Sequence, residues 1–356
     1  MTTVLILGAG GAAANAVVRS LRLAGGYRIV GADSDRYTLP LSLADECHLI
    51  PAYTDSGYTE ALIALVDEIR PDVVHAQPEE MVLGLSRLRA MLPGTWMIPP
   101  SGVVELTQDK FASAQAFLAA GVPHPRTFLI RDPESVGLAL DRLHGRMWLR
   151  ARYGAGGAGA IVVADYQDAC RWVERHHGWG EFTAATVLDG ASYAFQSLWV
   201  DGELVVGQGK RRIRWANGRN TPTGVGGSSA VSETIRSPEV AEVAVAAVRA
   251  VDEAPHGLFG VDMVWNMAGE PRVTEVNAGR FHTTVDMLAH AGLNLPSIYM
   301  DLAAAKSPRF PREPVIDPLE PGILWIRGMD REPVMIPAPP REVAMVGAAA
   351  AWEATA

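Results

Sequence analysis

Leu258-Phe-Gly-Val-Asp-Met-Val-Trp-Asn-Met-Ala-Gly-Glu-Pro-Arg-Val-Thr-Glu-Val-Asn-Ala-Gly-Arg280 reads as two strands joined at Ala268-Gly269, since a glycine in the loop suits a two-residue hairpin. With that turn, Met267 pairs with Glu270 and Asp262 falls opposite Glu275. Like charges facing each other across a sheet destabilise it. Asn277, two residues past Glu275, shares its face because side chains alternate along a strand. Two carboxylates and an amide oxygen on one spot suit a hard cation such as Mg2+. The competing reading is a solvated face on which the two acids tolerate each other.

Working outward, 356 residues exceed one ordinary core, so two or three domains are expected. A hydrophobic fraction of 48% with 20% charged residues is that of a soluble globular protein. The net charge of −9 argues against a nucleic-acid partner, which needs a basic surface. Cys47 and Cys170 have no metal-ligand spacing and read as reduced and buried, which fits the cytoplasm. Val4–Leu7 lacks the positive flank of a signal peptide and reads as a strand entering a loop. No apolar run reaches the roughly 18 residues of a membrane span. Of 31 basic residues only Lys110, Lys210 and Lys306 are lysines, so arginine has replaced lysine almost throughout.

Residues 1–108 alternate apolar runs (Val4–Leu7, Ile29–Ala32, His48–Pro51, Val73–Ala76, Trp96–Ile98) with helical patterns, which predicts a parallel, Rossmann-like sheet. Gly8-Ala-Gly-Gly11, with Ala13 and Asp33, partly matches a dinucleotide fingerprint. Thr107-Gln-Asp-Lys110 opens a helix, and a strand over Met147–Ala151 runs into Arg152-Tyr-Gly-Ala-Gly-Gly-Ala-Gly159. Gly154, Gly156, Gly157 and Gly159 let backbone N–H groups approach an anion. A strand follows rather than a helix, so this loop is a flap that can close over a polyphosphate, or else an unliganded hairpin loop. Phe182–Leu188 reads as a strand. Ser192–Val200 and Leu204–Lys210 form a hairpin at Asp201-Gly202, followed by the basic run to Arg214 and a loop over Ala216–Ser232. Gly322–Arg327 suggests a final strand, and the chain from about 338 reads as a flexible tail.

The ordered set resembles the ATP-grasp superfamily, in the style of its carbamoyl phosphate synthetase and amino-acid ligase branch. The resemblance covers residues 3–305 and implies an α/β fold in which a Rossmann-like domain (1–108) precedes a two-lobed α+β ATP-grasp unit: a small lobe with the flap (109–190) and a lobe with the metal site (191–337). It further implies that Lys110 and Arg150 contact nucleotide phosphate and that the Gly154–Gly159 flap covers it. Thr186, Val187, Leu188 and Asp189 would line the nucleotide hinge. Asp262, Glu275 and Asn277 would hold one or two Mg2+ ions, for which Mn2+ can substitute. Arg280 would steady the transferred phosphoryl group. Three departures stand out: Asn277-Ala-Gly-Arg280 where the family has Asn-Pro-Arg, Thr186 where a ribose-binding acid is usual, and Arg150-Ala151 where Lys-Pro is usual.

The activity implied is ATP-dependent carboxylate–amine ligation through an acyl phosphate, giving ADP and phosphate. Lys210 and Arg211 join Arg280 in the catalytic set, as carboxylate or phosphate binders; with Arg212, Arg214 and Arg219 they also fit a solvated basic patch. His282 reads as structural rather than a base. Expected partners are a small carboxylate and a small amine, with a homodimer possible and no nucleic acid or membrane. Alternatives are carboxylase or kinase chemistry on the same scaffold, a non-catalytic nucleotide sensor, and an NAD(P)-dependent oxidoreductase built on the first glycine turn.

Overall fold

The structure is a computed structural model that describes residues 1–157, 159–305, 313–328 and 334–336. The tail expected from about 338 lies outside the described residues. The first segment runs β1 (Thr2–Leu7), α1 (Ala12–Ala24), β2 (Tyr27–Asp33), β3 (Glu46–Leu49), α2 (Tyr58–Ile69), β4 (Val73–Ala76), α3 (Glu79–Arg87) and α4 (Ser101–Gln108). Its four strands pair in parallel in the order β3-β2-β1-β4, as the alternation of apolar runs and helices requires. The fifth strand expected over Trp96–Ile98 is instead a 3-10 turn, Thr95–Met97. Left-handed Gly94 before it and Pro99-Pro100 after it leave no room for an extended strand. The cysteine expectation also fails. Cys47 is exposed on the edge strand β3 and Cys170 is half-buried, both as free thiols.

The second segment comprises α5 (Lys110–Ala119), β5 (Thr127–Ile130), α6 (Pro133–Arg142), β6 (Met147–Ala151), β7 (Ile161–Val163), α7 (Tyr166–Arg175) and β8 (Phe182–Ala185), with an antiparallel sheet ordered β5-β8-β6-β7. β8 ends at Ala185 rather than Leu188, so Thr186–Asp189 form the irregular link to the next sheet.

The third segment holds β9 (Ser192–Val200), β10 (Glu203–Trp215), β11 (Ser229–Thr234), α8 (Pro238–Val251), β12 (Gly257–Trp265), β13 (Pro271–Ala278), α9 (Val285–His290), α10 (Leu295–Ala303), β14 (Val315–Ile316), β15 (Leu324–Ile326) and β16 (Val334–Ile336). Its sheet runs β13-β12-β9-β10-β11-β15-β16, with β14 on β10. Asp201 and Gly202 both take positive φ, 50° and 86°, as a two-residue hairpin of right-handed twist demands. β10 continues past Lys210 through the whole basic run to Trp215, and β11 shortens the following loop to Ala216–Ser228.

Packing groups these segments differently from their order in the chain. Two buried clusters each mix the first and third segments. In one, Val4, Ile6 and Val17 join Leu258, Phe281, Leu295 and Tyr299; in the other, Leu5, Val30 and Leu62 join Phe195, Val248 and Phe259. The side chain of Tyr27 donates to Asp301 at 2.9 Å, and Arg19 pairs with buried Asp286 at 2.7 Å. The third cluster, Ile130 to Ala184 with Val136, Leu149 and Val173, belongs to the second segment alone.

Candidate active site

The β12–β13 hairpin reaches the expected register by an unexpected route. Its loop has three residues, not two. Asn266 N–H donates to the Glu270 carbonyl, Gly269 N–H donates back to the Asn266 carbonyl, and Gly269 takes φ 79°, which is a turn closed by a glycine bulge. Asn266 Oδ1 fixes the turn by accepting from Ala268 and Glu270 N–H. The loop therefore pairs Trp265 with Pro271 and Met263 with Val273, one residue out of the expected register. A bulge at Thr274 then adds a residue to β13, and Asp262 pairs with Glu275 after all. The Thr274 carbonyl accepts from Arg150 Nη2 at 2.8 Å, so the bulge also anchors the arginine at the end of β6.

Asp262, Glu275 and Asn277 border a cavity of about 300 Å³ that Lys110, Arg150, Lys210, Arg212 and Arg280 also line. The repulsion between the facing acids is offset by these cations. Arg212 Nη2 lies 2.8 Å from Asp262 Oδ1, Lys110 Nζ is 3.8 Å from Glu275, and Arg280 donates to Asn277 Oδ1. Burial acts to raise the Asp262 pKa, but Arg212, His282 and Lys210 more than offset it and hold the carboxyl at about 2. Burial lowers the pKa of Arg150, and Glu275 and Asp262 counter part of that shift. Burial, with Arg212 close by, brings Lys210 down to about 7, and its Nζ donates to Thr284 Oγ1 at 2.5 Å.

A divalent cation fits this donor set. Among the described residues no group of three or more His, Cys, Asp or Glu is arranged to hold a metal. Two carboxylates and an amide oxygen would therefore leave further positions for phosphate oxygens, as Mg2+ commonly has.

The flap glycines carry φ of 94°, 76°, 75° and 68° at Gly154, Gly156, Gly157 and Gly159, a conformation that residues with a Cβ rarely adopt. The first three border the cavity, whereas Gly159 sits behind it, its carbonyl accepting from Trp172 Nε1 at 2.9 Å. Lys110 Nζ donates to the Gly154 carbonyl at 2.5 Å. Asp109 caps α5 through Phe111 and Ala112 N–H and pairs with Arg152 at 2.5 Å, so one carboxylate fixes both Lys110 and the base of the flap. That role is legible in the sequence as an aspartate at a helix start. Opposite, the flap meets the Ala216–Ser228 loop. A Cβ on Gly227 would lie 2.8 Å from Gly156 Cα.

Several assignments change. Arg211 leaves the catalytic set, because strand alternation sends it to the other face of β10, where it pairs with Glu233 at 2.7 Å. Arg212 takes the inward position, bonded to Asp262, Ser192 and Ser229, with its guanidinium 4.0 Å from the centre of the Trp215 ring. Thr186 and Leu188 border the cavity, together with Trp148 and Pro125. Val187 and Asp189 do not, and Asp189 pairs with Arg146 at 3.1 Å. The residue added before Arg280 is absorbed by Gly279, whose φ of 78° turns the chain back. Arg280 then reaches both the cavity wall and Glu79 of α3, at 2.5 Å.

The first glycine turn is filled by its own chain. Asp33 Oδ2 accepts from Gly10 N–H at 2.9 Å, where a pyrophosphate would bind, and a Cβ on Gly10 would be 2.4 Å from the Thr38 carbonyl. The dinucleotide reading loses its support there.

A cleft between a small antiparallel lobe and a larger sheet, closed by a glycine flap and floored by paired acids, defines a nucleotide-binding fold of the ATP-grasp kind. The sequence matches the ATP-grasp domain family over residues 107–284, half of its length, and the chain belongs to that family. No curated protein sequence matches it. Among solved structures, the L-amino acid ligase from Bacillus licheniformis is similar at 14% identity and a TM-score of 0.66, covering 91% of this chain and 79% of that one. N5-carboxyaminoimidazole synthetase from Staphylococcus aureus, complexed with ADP, matches at 17% identity and 0.69, covering 91% and 82%. The biotin carboxylase–beta-gamma-ATP complex from Campylobacter jejuni matches at 16% and 0.66, covering 91% and 74%. At these identities the likeness establishes the fold. Among the described residues no helix is long and apolar enough to cross a membrane.

Proposed function

We propose that the protein is an ATP-dependent carboxylate–amine ligase that works through an acyl phosphate. The observation that carries the reading is the composition of one cavity wall: five cationic side chains against Asp262 and Glu275, beside an apolar end at Pro125, Trp148 and Leu188. That polarity suits a nucleotide whose base enters the apolar end and whose phosphates lie along Lys110, Arg150 and the flap. Asp262, Glu275 and Asn277 would hold Mg2+, which when bound neutralises phosphate oxygens and draws electron density from the transferred phosphorus.

The chain's own residues do the rest. Arg150 and Lys110 orient the phosphates, and the flap excludes water. Lys210, Arg212 and Arg280 leave an excess of positive charge beyond the acids, which suits a substrate carboxylate. Its oxygen attacks the γ-phosphorus, the bond to the bridging β,γ-oxygen breaks, and ADP departs. An amine then adds to the acyl carbon, the C–O bond to phosphate breaks, and Arg280 stabilises the oxyanion that forms in between. The named activities of the similar ligase and synthetase structures agree with this chemistry.

The test is incubation of purified protein with ATP, Mg2+ and a panel of carboxylates, with hydroxylamine as the amine. Expected products are ADP, phosphate and a hydroxamate. AMP and pyrophosphate, or no carboxylate-dependent ADP across the panel, would overturn the proposal. Bicarbonate as the sole effective carboxylate would indicate carboxylation.

A further inference from the structure

Ser228 and Thr283 both border the cavity, and both keep partial exposure. Their hydroxyl oxygens lie 2.8 Å apart. Arg327, which follows β15, donates from Nη1 to Ser228 Oγ at 2.8 Å and towards the Thr283 carbonyl at 3.4 Å. Its backbone N–H donates to the Ala230 carbonyl at 2.8 Å, which fixes the residue at the strand end. Burial lowers the Arg327 pKa, and nearby Asp286 counters part of that shift.

This pair of hydroxyls holds one proton more than it uses. Arginine is a donor only, and each hydroxyl carries one proton. One proton makes the Ser228–Thr283 bond, whichever oxygen gives it. The other is left over, and among the described residues no acceptor is bonded to it. The side-chain acceptors that border the cavity are engaged elsewhere. Asp262 accepts from Arg212 and Asn277, Glu275 faces Lys110 at 3.8 Å, and Asn277 Oδ1 accepts from Arg280. The remaining O–H therefore suits an acceptor that enters the cavity.

The place of the pair says which acceptor. Gly227, beside Ser228, lies against Gly156 of the flap, and a Cβ on Gly157 would be 3.2 Å from the Val225 carbonyl oxygen. Thr283 adjoins Thr284, which accepts from Lys210. The hinge reaches the β12–β13 hairpin at its Trp265 end, where Gly190 N–H donates to the Trp265 carbonyl at 3.1 Å. Thr283 follows the other end of β13. The pair thus stands between the flap and Lys210, away from the hinge and its apolar neighbours. A nucleotide whose base lies at the hinge brings its terminal phosphoryl group there, and charged oxygens take the strongest hydrogen bonds.

We infer that the Ser228–Thr283 pair donates its remaining O–H to the terminal phosphoryl group of ATP, and that Arg327 is the positioning residue that aims it. The inference rests on the nucleotide placement proposed above. It brings into the site a residue from outside the matched stretch 107–284, and it makes the site favour the nucleoside triphosphate over the diphosphate product.

The experiment measures binding of ADP and of the β,γ-imido analogue of ATP to the full-length protein, each with Mg2+. Tryptophan fluorescence reports it, since Trp148 and Trp215 border the cavity. Ser228→Ala combined with Thr283→Val should weaken binding of the imido analogue about tenfold or more, the scale of a hydrogen bond to a charged group, and of ADP less than twofold. Arg327→Ala should show the same selectivity at threefold or more. Arg327→Lys keeps one donor for Ser228 and should restore the parent affinity within twofold. Equal losses for the two nucleotides, or an unchanged affinity for the imido analogue in the double variant, would overturn the assignment. A raised KM for the carboxylate with both nucleotide affinities unchanged would overturn it as well and move the donor to the acyl substrate. If Arg327→Lys binds as poorly as Arg327→Ala, Arg327 is not the positioning residue. Failure of the ATP reading would look different, since the parent protein would then bind neither nucleotide. Should Arg327→Ala not fold, the double variant decides by the same split.

Discussion

Arg212 and Asp262 are bonded at 2.8 Å, while Arg211, the next residue along, pairs with Glu233 on the opposite face of the sheet. Two adjacent arginines thus have unrelated environments. Arg212→Ala would strip Asp262 of its buried partner and is expected to lower kcat/KM by about 100-fold or more, the usual cost of removing a positioned charge donor. Arg211→Ala should leave steady-state kinetics within twofold and cost about 0–1 kcal/mol in stability, as partly exposed ion pairs do. Equal kinetic effects of the two would contradict the placement of β10.

The paired acids predict a metal dependence that can be read without turnover. Glu275→Gln and Asp262→Asn should each weaken binding of Mn2+ in the presence of ADP at least tenfold, followed by electron paramagnetic resonance of free Mn2+. The circular dichroism spectrum should remain that of the parent. Turnover in Glu275→Gln should fall below detection. Parental Mn2+ affinity in both variants would remove Asp262 and Glu275 from the metal site.

Gly227 and Gly156 meet backbone to backbone. Gly227→Ala inserts a methyl group 2.8 Å from Gly156 Cα and should hold the flap away from its seat. A rise of about tenfold in KM for ATP, with a faster ATP-hydrolysis side reaction as water enters, is the expected signature. Unchanged ATP kinetics would mean that the two loops do not need to touch.

Lys210 links the site to stability. Its pKa in the folded chain, about 7, lies below the ordinary 10.5. Between those values the unfolded chain binds a proton that the folded chain does not, so this residue makes stability rise with pH across that window; below about 7 its penalty is constant. Lys210→Met should therefore be more stable than the parent at pH 7, with the gap in urea midpoint narrowing towards pH 10. Parallel curves would show that Lys210 titrates as an exposed lysine.

Much of this was legible in the sequence where a local rule acts alone. The parallel order of the first sheet follows from alternating apolar runs, and the Asp201-Gly202 turn follows from two residues that tolerate positive φ. The facing of Asp262 and Glu275 was also foreseen, but through two compensating departures: a loop one residue longer, because Asn266 favours its own side-chain turn, and a bulge at Thr274 that no local pattern announces. The composition of the run Lys210–Arg214 does not say which cations face the cavity; strand alternation does, and it selects Lys210 and Arg212 over Arg211. Asp189 carried the right charge at nearly the right place, yet Arg146, 43 positions earlier, claims it.

The separate core of the small lobe has a mechanical consequence. Ile130, Val136, Leu149 and Val173 pack only among themselves and their lobe neighbours, whereas the rest of the molecule shares interlocked cores. Swinging β5–β8 with α6 and α7 away from α5, which stays in the shared core through Phe117 and the following Val122, would break polar links such as Lys110–Gly154 and Arg150–Thr274 and need expose none of the small lobe's own core side chains to water. Both links join polar groups that water can satisfy once they part. The cleft can then cycle at each turnover without unfolding any part of the protein.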